Sequence, residues 1–270
     1  MKITVLSLFP GILRGFFESS IMAKAVERGL MSCELVDIRD YATDKHHKCD
    51  DEVFGGGAGM LMLPGPTGAA LEAAGSGRRA DGSPGKRTVY MTPSGRLLNQ
   101  AYAAELAREE ELVVVCGRYE GLDQRIIENY VTDEISIGDY VLSSGEVAAL
   151  VLVDAIYRLV PGVIKGESLA EESFSPLGEG GAQLLEYPQY TRPAEYATMR
   201  VPEVLISGHH ANIARWRLEA SLAKTIAYRP ELLAAAGLPE EVRRLLRKLT
   251  TEGRNHEPDT EDSGGAGQGR

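Results

Sequence analysis

Residues 135–146 read ISIGDYVLSSGE: a β-type apolar stretch that breaks at Gly138-Asp139-Tyr140, resumes for two apolar residues, and breaks again at Ser143-Ser144-Gly145-Glu146. Residues 147–160, VAALVLVDAIYRLV, follow at once as a strongly apolar helix. Small residues and carboxylates at two breaks so close together expose backbone N–H and C=O groups inside a domain. Backbone laid bare in this way suits a loop wrapped around a ligand.

Upstream of that stretch, strand-like and helix-like runs alternate. KITVLSL (2–8) is a strand, ESSIMAKAVERG (18–29) a helix ending on Gly29, and MSCELVDI (31–38) a second strand. GPTGAALEAAG (65–75) is helical, and 75–87 is a Gly/Arg/Ser/Pro surface loop. RTVYM (87–91) is a strand, NQAYAAELAREE (99–110) a helix, LVVV (112–115) a buried strand and DQRIIENY (123–130) a short helix. The alternation predicts an α/β fold with a mainly parallel sheet and helices on its faces.

The pattern changes after Pro161. Residues 165–183 show little periodicity, and the reading assigns 161–186 to a flexible linker. From 187 to 250 the chain reads as a small all-helical domain: NIARWRLEASLAKTIAY (212–228), PELLAAAG (230–237) and PEEVRRLLRKL (239–249). Residues 251–270 lack apolar content and are expected to be a disordered tail.

The composition, 43% hydrophobic and 25% charged, is that of a globular protein. No apolar run reaches the ~18 uncharged residues of a membrane span, and MKITVLSLFPGIL reads as a first strand and not a signal peptide. Cys33, Cys49 and Cys116 are scattered and odd in number, which fits a reducing, cytoplasmic setting without a disulfide framework. The net charge of −10 argues against a nucleic-acid partner, but residues 251–270 alone hold five acids against two bases. Basic clusters stand against it at Lys45–Lys48 and at Arg243, Arg244, Arg247 and Lys248, so the bulk charge decides nothing.

Three glycine-bearing turns follow strands: MTPSG (91–95), GRYEG (117–121) and IGDYVLSSG (137–145). Ligands of open α/β sheets collect at the carboxyl ends of strands, so the three turns predict one pocket lined mainly by main chain. Neither GxxxxGK[ST] nor a strand–GxGxxG–helix unit is present, and FGGGAGM (54–60) follows no clear strand. An adenosine-like ligand not held by its phosphates suits such a pocket. His46-His47 with Cys49 and Asp50, and His209-His210, lack the spaced pairs of a zinc site, so no metal ligand is assigned.

In order, FPG (9–11), DKHHKCDDEVFGGGAGM (44–60), TPSG (92–95), CGRYEGLDQR (116–125), SIGDYVLSSGE (136–146), DAIYRLVPGV (154–163), EYPQYTRP (186–193) and SGHH (207–210) closely resemble the bacterial tRNA (guanine-N1)-methyltransferase family, the TrmD type, across residues 1–230. The resemblance implies the SPOUT fold with a deep trefoil knot, a rare exception to the unknotted rule, in residues 1–160. It also implies a homodimer with composite active sites, S-adenosyl-L-methionine as methyl donor, and methylation of N1 of the guanosine immediately 3′ to the anticodon of tRNA. Magnesium is implied as well, with no ligand set legible in the sequence. The rival readings are a SPOUT-type ribose 2′-O-methyltransferase and a non-catalytic RNA- or nucleotide-binding protein of the same fold.

Carried over by motif, Tyr90, Met91, Thr92, Pro93 and Gly95 of the first turn would surround the cofactor together with Gly117, Tyr119, Glu120 and Gly121 of the second. Ser136, Ile137, Gly138, Asp139, Tyr140, Val141 and Leu142 would complete the wall, with Gly145 closing the far side. Arg158 would stabilise charge on guanine O6, and Glu172 would remove the N1 proton. The family shows aspartate where Glu172 precedes Ser173-Phe174, and Glu171 is the lesser candidate. Ser144 and Ala58 are further departures, from glycine and proline. Lys45, His46, Asp50, Gly59, Arg192 and Arg215, with the basic last helix, would contact tRNA.

Overall fold

A computed structural model of the chain describes residues 1–77, 82–83, 85–166, 169, 171–177, 182–234 and 238–254, with backbone alone for 250–254. Two compact units result, Met1–Lys165 and Gly166–Arg270.

The first unit is built on five strands: β1 (Lys2–Ser7), β2 (Ser32–Asp37), β5 (Arg87–Leu97), β6 (Glu111–Cys116) and β7 (Asp133–Ser136). They lie in the order β2-β1-β6-β5-β7, and every pairing is parallel. Side chains alternate across this sheet as the two-residue strand period demands. Ile3, Val5, Val89, Met91, Leu112 and Val114 face one core, which α1 (Gly11–Phe17), α2 (Ser20–Glu27), α4 (Gln100–Leu106) and α6 (Gly145–Tyr157) complete. Leu6, Tyr90, Val113 and Val115 face a second core with α3 (Pro64–Ala73) and α5 (Gln124–Tyr130). Burial on both faces explains why LVVV is apolar throughout.

Local signals start and stop the helices. The Asn99 side chain accepts from the Tyr102 N–H at the head of α4, Asp123 does the same for Arg125 at α5, and Gly29 follows α2 at φ +67°. A charged cluster ties β5 to β7 and α4. The Arg87 guanidinium spans both oxygens of Asp133 at 2.9 and 2.7 Å and reaches Glu105 and Glu109, while the Tyr102 hydroxyl donates to Asp133 at 2.6 Å.

Several elements differ from the sequence reading. The single helix expected over 18–29 is preceded by α1, whose two turns contain two glycines and hold together by burying Leu13 and Phe17. Sequence patterns carry little signal for so short a helix, because tertiary packing stabilises it. A small antiparallel pair, β3 (Asp50–Glu52) and β4 (Met60–Met62), closes the glycine-rich segment. MTPSG is not a turn that ends β5: the strand resumes beyond it, with Met91 and Arg96 both opposite Ile135, so residues 92–95 bulge out of the ladder.

The second unit holds α7 (Glu203–Ile206), α8 (His210–Tyr228) and α9 (Glu240–Arg254), with Leu222, Val242 and Leu245 buried between the long helices. It is not all-helical, because β8 (Glu195–Tyr196) and β9 (Met199–Arg200) form a hairpin. Its turn residues Ala197 and Thr198 take positive φ without the Asn or Gly that would signal such a turn. Described residues of the stretch read as linker pair across it, Leu177 N–H to the Ala182 carbonyl and Phe174 N–H to that of Leu184. Helix α9 continues to Arg254, beyond the expected start of the tail, and 255–270 lie outside the described residues. No helix of the described residues is long and apolar enough to cross a membrane.

Candidate active site

At the bulge of β5 and the carboxyl ends of β6 and β7 the three segments enclose one cavity of about 250 Å³. Its floor is set by close backbone approaches. The Gly145 N–H donates to the Gly117 carbonyl at 2.9 Å, and a Cβ on Gly145 would stand 2.7 Å from the Gly117 nitrogen and 2.9 Å from the Cys116 Cα. No side chain fits there, so the head of α6 and the end of β6 can meet only through glycine. The Tyr90 ring lies beneath the second turn, where a Cβ on Gly121, at φ +118°, would meet its hydroxyl at 2.7 Å. Burial raises the Tyr90 pKa. It also drives that of Cys116 well above its ordinary value, with the charge of Glu146 adding to the effect.

The third turn folds upon itself. Ser136 Oγ accepts from the Gly138 N–H at 3.2 Å and donates to the Gly138 carbonyl at 3.1 Å, and the Tyr140 hydroxyl returns to the Ile137 carbonyl at 3.1 Å. This leaves Ile137, Val141 and Leu142 as apolar wall and the neighbouring peptides as polar wall. The lining contains one guanidinium, from Arg118, and no cluster of cations. A neutral nucleoside with an apolar tail fits such a wall better than a phosphate group does.

Of the residues carried over from the motifs, Tyr90, Met91, Thr92, Pro93, Gly117, Tyr119, Glu120 and Gly121 lie on this wall. So do Ser136, Ile137, Gly138, Tyr140, Val141, Leu142 and Gly145. Gly95 and Asp139 do not. A Cβ on Gly95 would stand 2.5 Å from the Glu134 carbonyl carbon, so Gly95 closes the β5 bulge against β7. Arg118, Ile135, Ser143 and Ala148 also line the cavity and went unread. Arg118 sits inside GRYEG, where nothing in the spacing marks it out from its neighbours. Ala148 follows Gly145 by three residues on α6, the helical spacing that would have revealed it.

Arg158 is half-buried and caps the C-terminus of α6 in the first unit. Glu172 belongs to the second unit, half-buried in a turn where its carbonyl accepts from Ser175, on the wall of a separate cavity of about 270 Å³. Glu171 beside it accepts from the Tyr187 hydroxyl at 2.5 Å and pairs with Arg217 at 3.2 Å.

Lys45 and His46 are exposed in a turn that the Asp44 carboxylate organises by accepting from the His46 and Lys48 N–H groups, both at 2.8 Å. Those bonds, that of His46 first, lower the Asp44 pKa. Asp50 opens β3, and Gly59 stands at φ +99° against the Glu120 side chain. In the second unit Arg192 is exposed, and Arg215 on α8 pairs with Glu219 at 3.0 Å. Among the described residues no group of three or more His, Cys, Asp and Glu is gathered to hold a metal ion.

Residues 1–235 match the family described as tRNA (Guanine-1)-methyltransferase TrmD. Three relatives carry the name tRNA (guanine-N(1)-)-methyltransferase. That of Treponema denticola is 55% identical over 93% of this chain and all of its own length. The Borreliella burgdorferi protein is 55% identical over 86% of this chain and 92% of its own. That of Pelotomaculum thermopropionicum is 53% identical over 92% and 96%. The chain belongs to the tRNA (guanine-1)-methyltransferase TrmD family.

Proposed function

We propose that this protein transfers a methyl group from S-adenosyl-L-methionine to N1 of the guanosine immediately 3′ to the anticodon, position 37 of tRNA, leaving 1-methylguanosine. The observation that carries the reading is the single backbone-lined cavity made by the three turns, in a chain of this family. The cavity fits the cofactor: Tyr90, Gly117, Gly121, Ile137, Leu142 and Gly145 would hold it, and their carbonyl and N–H groups suit an adenine edge and a ribose. When bound, the cofactor supplies an electrophilic methyl group on a sulfonium sulfur.

This chain's own residues supply the rest. Guanine N1 carries a proton at neutral pH, and a carboxylate within reach must take it as the nitrogen becomes nucleophilic. Glu172, which stands directly before Ser173-Phe174 where the family has its aspartate, is that base. Arg158 holds the negative charge that collects on O6.

The family fold, with a trefoil knot through residues 1–160, is supported by the close backbone approach of Gly117 and Gly145. A homodimer with composite sites is supported by α6, whose Val147 and Val151 stay 46% and 44% exposed one turn apart on an otherwise apolar helix. In this reading 161–186 links the knotted domain to a tRNA-gripping domain at 187–250, and the enzyme works in the cytoplasm.

The test is transfer of labelled methyl to a tRNA transcript, with digestion to nucleosides. The label is expected in 1-methylguanosine and is expected to vanish when guanosine 37 becomes adenosine. Label on a ribose, or no label despite bound tRNA and cofactor, overturns the assignment.

A further inference from the structure

The FPG segment has no part in the cavity wall, yet it is wired to it. Ser7, fully buried at the end of β1, accepts from the Phe9 N–H at 2.7 Å and donates to Glu146 Oε1 at 2.6 Å. Glu146 is itself fully buried in the first turn of α6, where the helix N-terminus favours a carboxylate. This chain fixes the backbone of Phe9 and turns its ring outward, 37% exposed. Two guanidinium groups lie over that ring, Arg118 at 4.5 Å and Arg39 at 5.5 Å from the centroid. Arg118 lines the cavity and donates to the Ser143 carbonyl at 3.2 Å. Arg39 is held at its own backbone, its N–H donating to Asp37 and its carbonyl lying 3.0 Å from His47 Nδ1 in the basic turn 44–48.

Two like charges converge on one aromatic ring at the mouth of a cavity that a polyanion must approach. A ring face attracts a cation and also restricts a side chain that solvent would otherwise leave mobile. Guanidinium groups placed in this way match phosphate oxygens with several N–H donors each. From this we infer that Phe9 is a positioning residue which presents Arg118 and Arg39 as a clamp for a backbone phosphate of the tRNA substrate. The clamp continues the basic surface of Lys45 and His46 onto the rim of the cavity. Through the Arg118–Ser143 bond, RNA docking also steadies the loop 137–145. The inference rests on the reading that this cavity holds the methyl donor.

The full-length protein is compared with Phe9→Leu, Phe9→Tyr and Arg39→Gln. Phe9→Leu keeps apolar bulk but has no ring face, and Phe9→Tyr restores one. The readouts are KM for tRNA, the salt dependence of tRNA binding, and S-adenosylmethionine affinity of the protein alone. For Phe9→Leu and Arg39→Gln the expected result is a rise of about five- to tenfold in tRNA KM. The slope of log K against log salt should fall by about 1 for each lost phosphate contact. Cofactor affinity should stay within about twofold, and Phe9→Tyr should behave as the parent does. Unchanged tRNA KM and salt slope in both Leu and Gln variants overturn the clamp. Weakened cofactor binding with an unchanged salt slope also overturns it, since the ring would then merely brace the loop. Thermal melting reports folding, and Arg39→Gln, a surface change, carries the test if Phe9→Leu does not fold. Gly121→Val separates the two readings: if it leaves cofactor affinity intact, the cavity assignment fails, while the salt slopes still judge the clamp.

Discussion

Of two adjacent glutamates, Glu172 is the proposed base and Glu171 braces its own unit through Tyr187 and Arg217. Glu171 is half of an ion pair with Arg217, on side chains 57% and 39% exposed, and solvent screening holds such a pair to at most about 1 kcal/mol. Glu171→Gln is expected to leave kcat within a few-fold and stability nearly unchanged. Glu172→Gln keeps the shape and removes the proposed base, so kcat should fall by about 100-fold or more while tRNA and cofactor still bind. Single-turnover methylation with both ligands saturating reads this directly. A ribose 2′-O-methyltransferase would keep its rate in that variant, so full activity of Glu172→Gln would restore the rival reading.

Elements meet in this fold where side chains are missing, or where charges are tightly shared. Gly145→Ala places a methyl group against the Gly117 and Cys116 backbone, and strand β6 cannot move without disturbing the sheet. Overpacking of this kind costs about 1–3 kcal/mol. Denaturant melts should show that loss, and calorimetry should show weakened cofactor binding with it. The join between β5 and β7 is electrostatic. Burial of Asp133 opposes its ionisation, but the bidentate bond from Arg87 and the Thr132 and Tyr102 hydroxyls outweigh burial and lower its pKa to about 2. A depressed carboxylate stabilises the fold above its unfolded pKa near 4 and loses that contribution as the pH falls toward 2. The parent is therefore expected to exceed Asp133→Asn by about 2 kcal/mol at pH 7, with the gap closing between about pH 4 and 2. Denaturant unfolding at both ends of that window measures it, and a gap that persists at pH 2 would assign the effect to packing.

For the whole molecule, the proposed homodimer would cover the exposed Val147 and Val151 of α6 with the same face of a second copy under two-fold symmetry. Light scattering at micromolar concentration is expected to give twice the mass of one chain. Val151→Glu should give single chains without methyl transfer, because a composite site is incomplete in a monomer. A parent protein that is monomeric and fully active would remove the composite-site reading.

The sequence by itself determined the class of the fold, because the two-residue strand period and the helical period are local properties. The strand-like runs 2–8, 87–91 and 112–115 and the helical runs between them are legible without any tertiary contact. It determined most of the cavity too, since GRYEG and IGDYVLSSG follow strands and carry glycine where the backbone lines the wall. What only the tertiary structure decided are contacts whose partners lie far apart along the chain. α1 forms because Leu13 and Phe17 find a core, and Gly95 serves β7 and not the cavity. Arg118 faces the cavity from under a ring more than a hundred residues earlier. No periodicity encodes such pairings. They arise when close packing brings remote segments together, and one ring or one missing Cβ then decides which groups face the ligand.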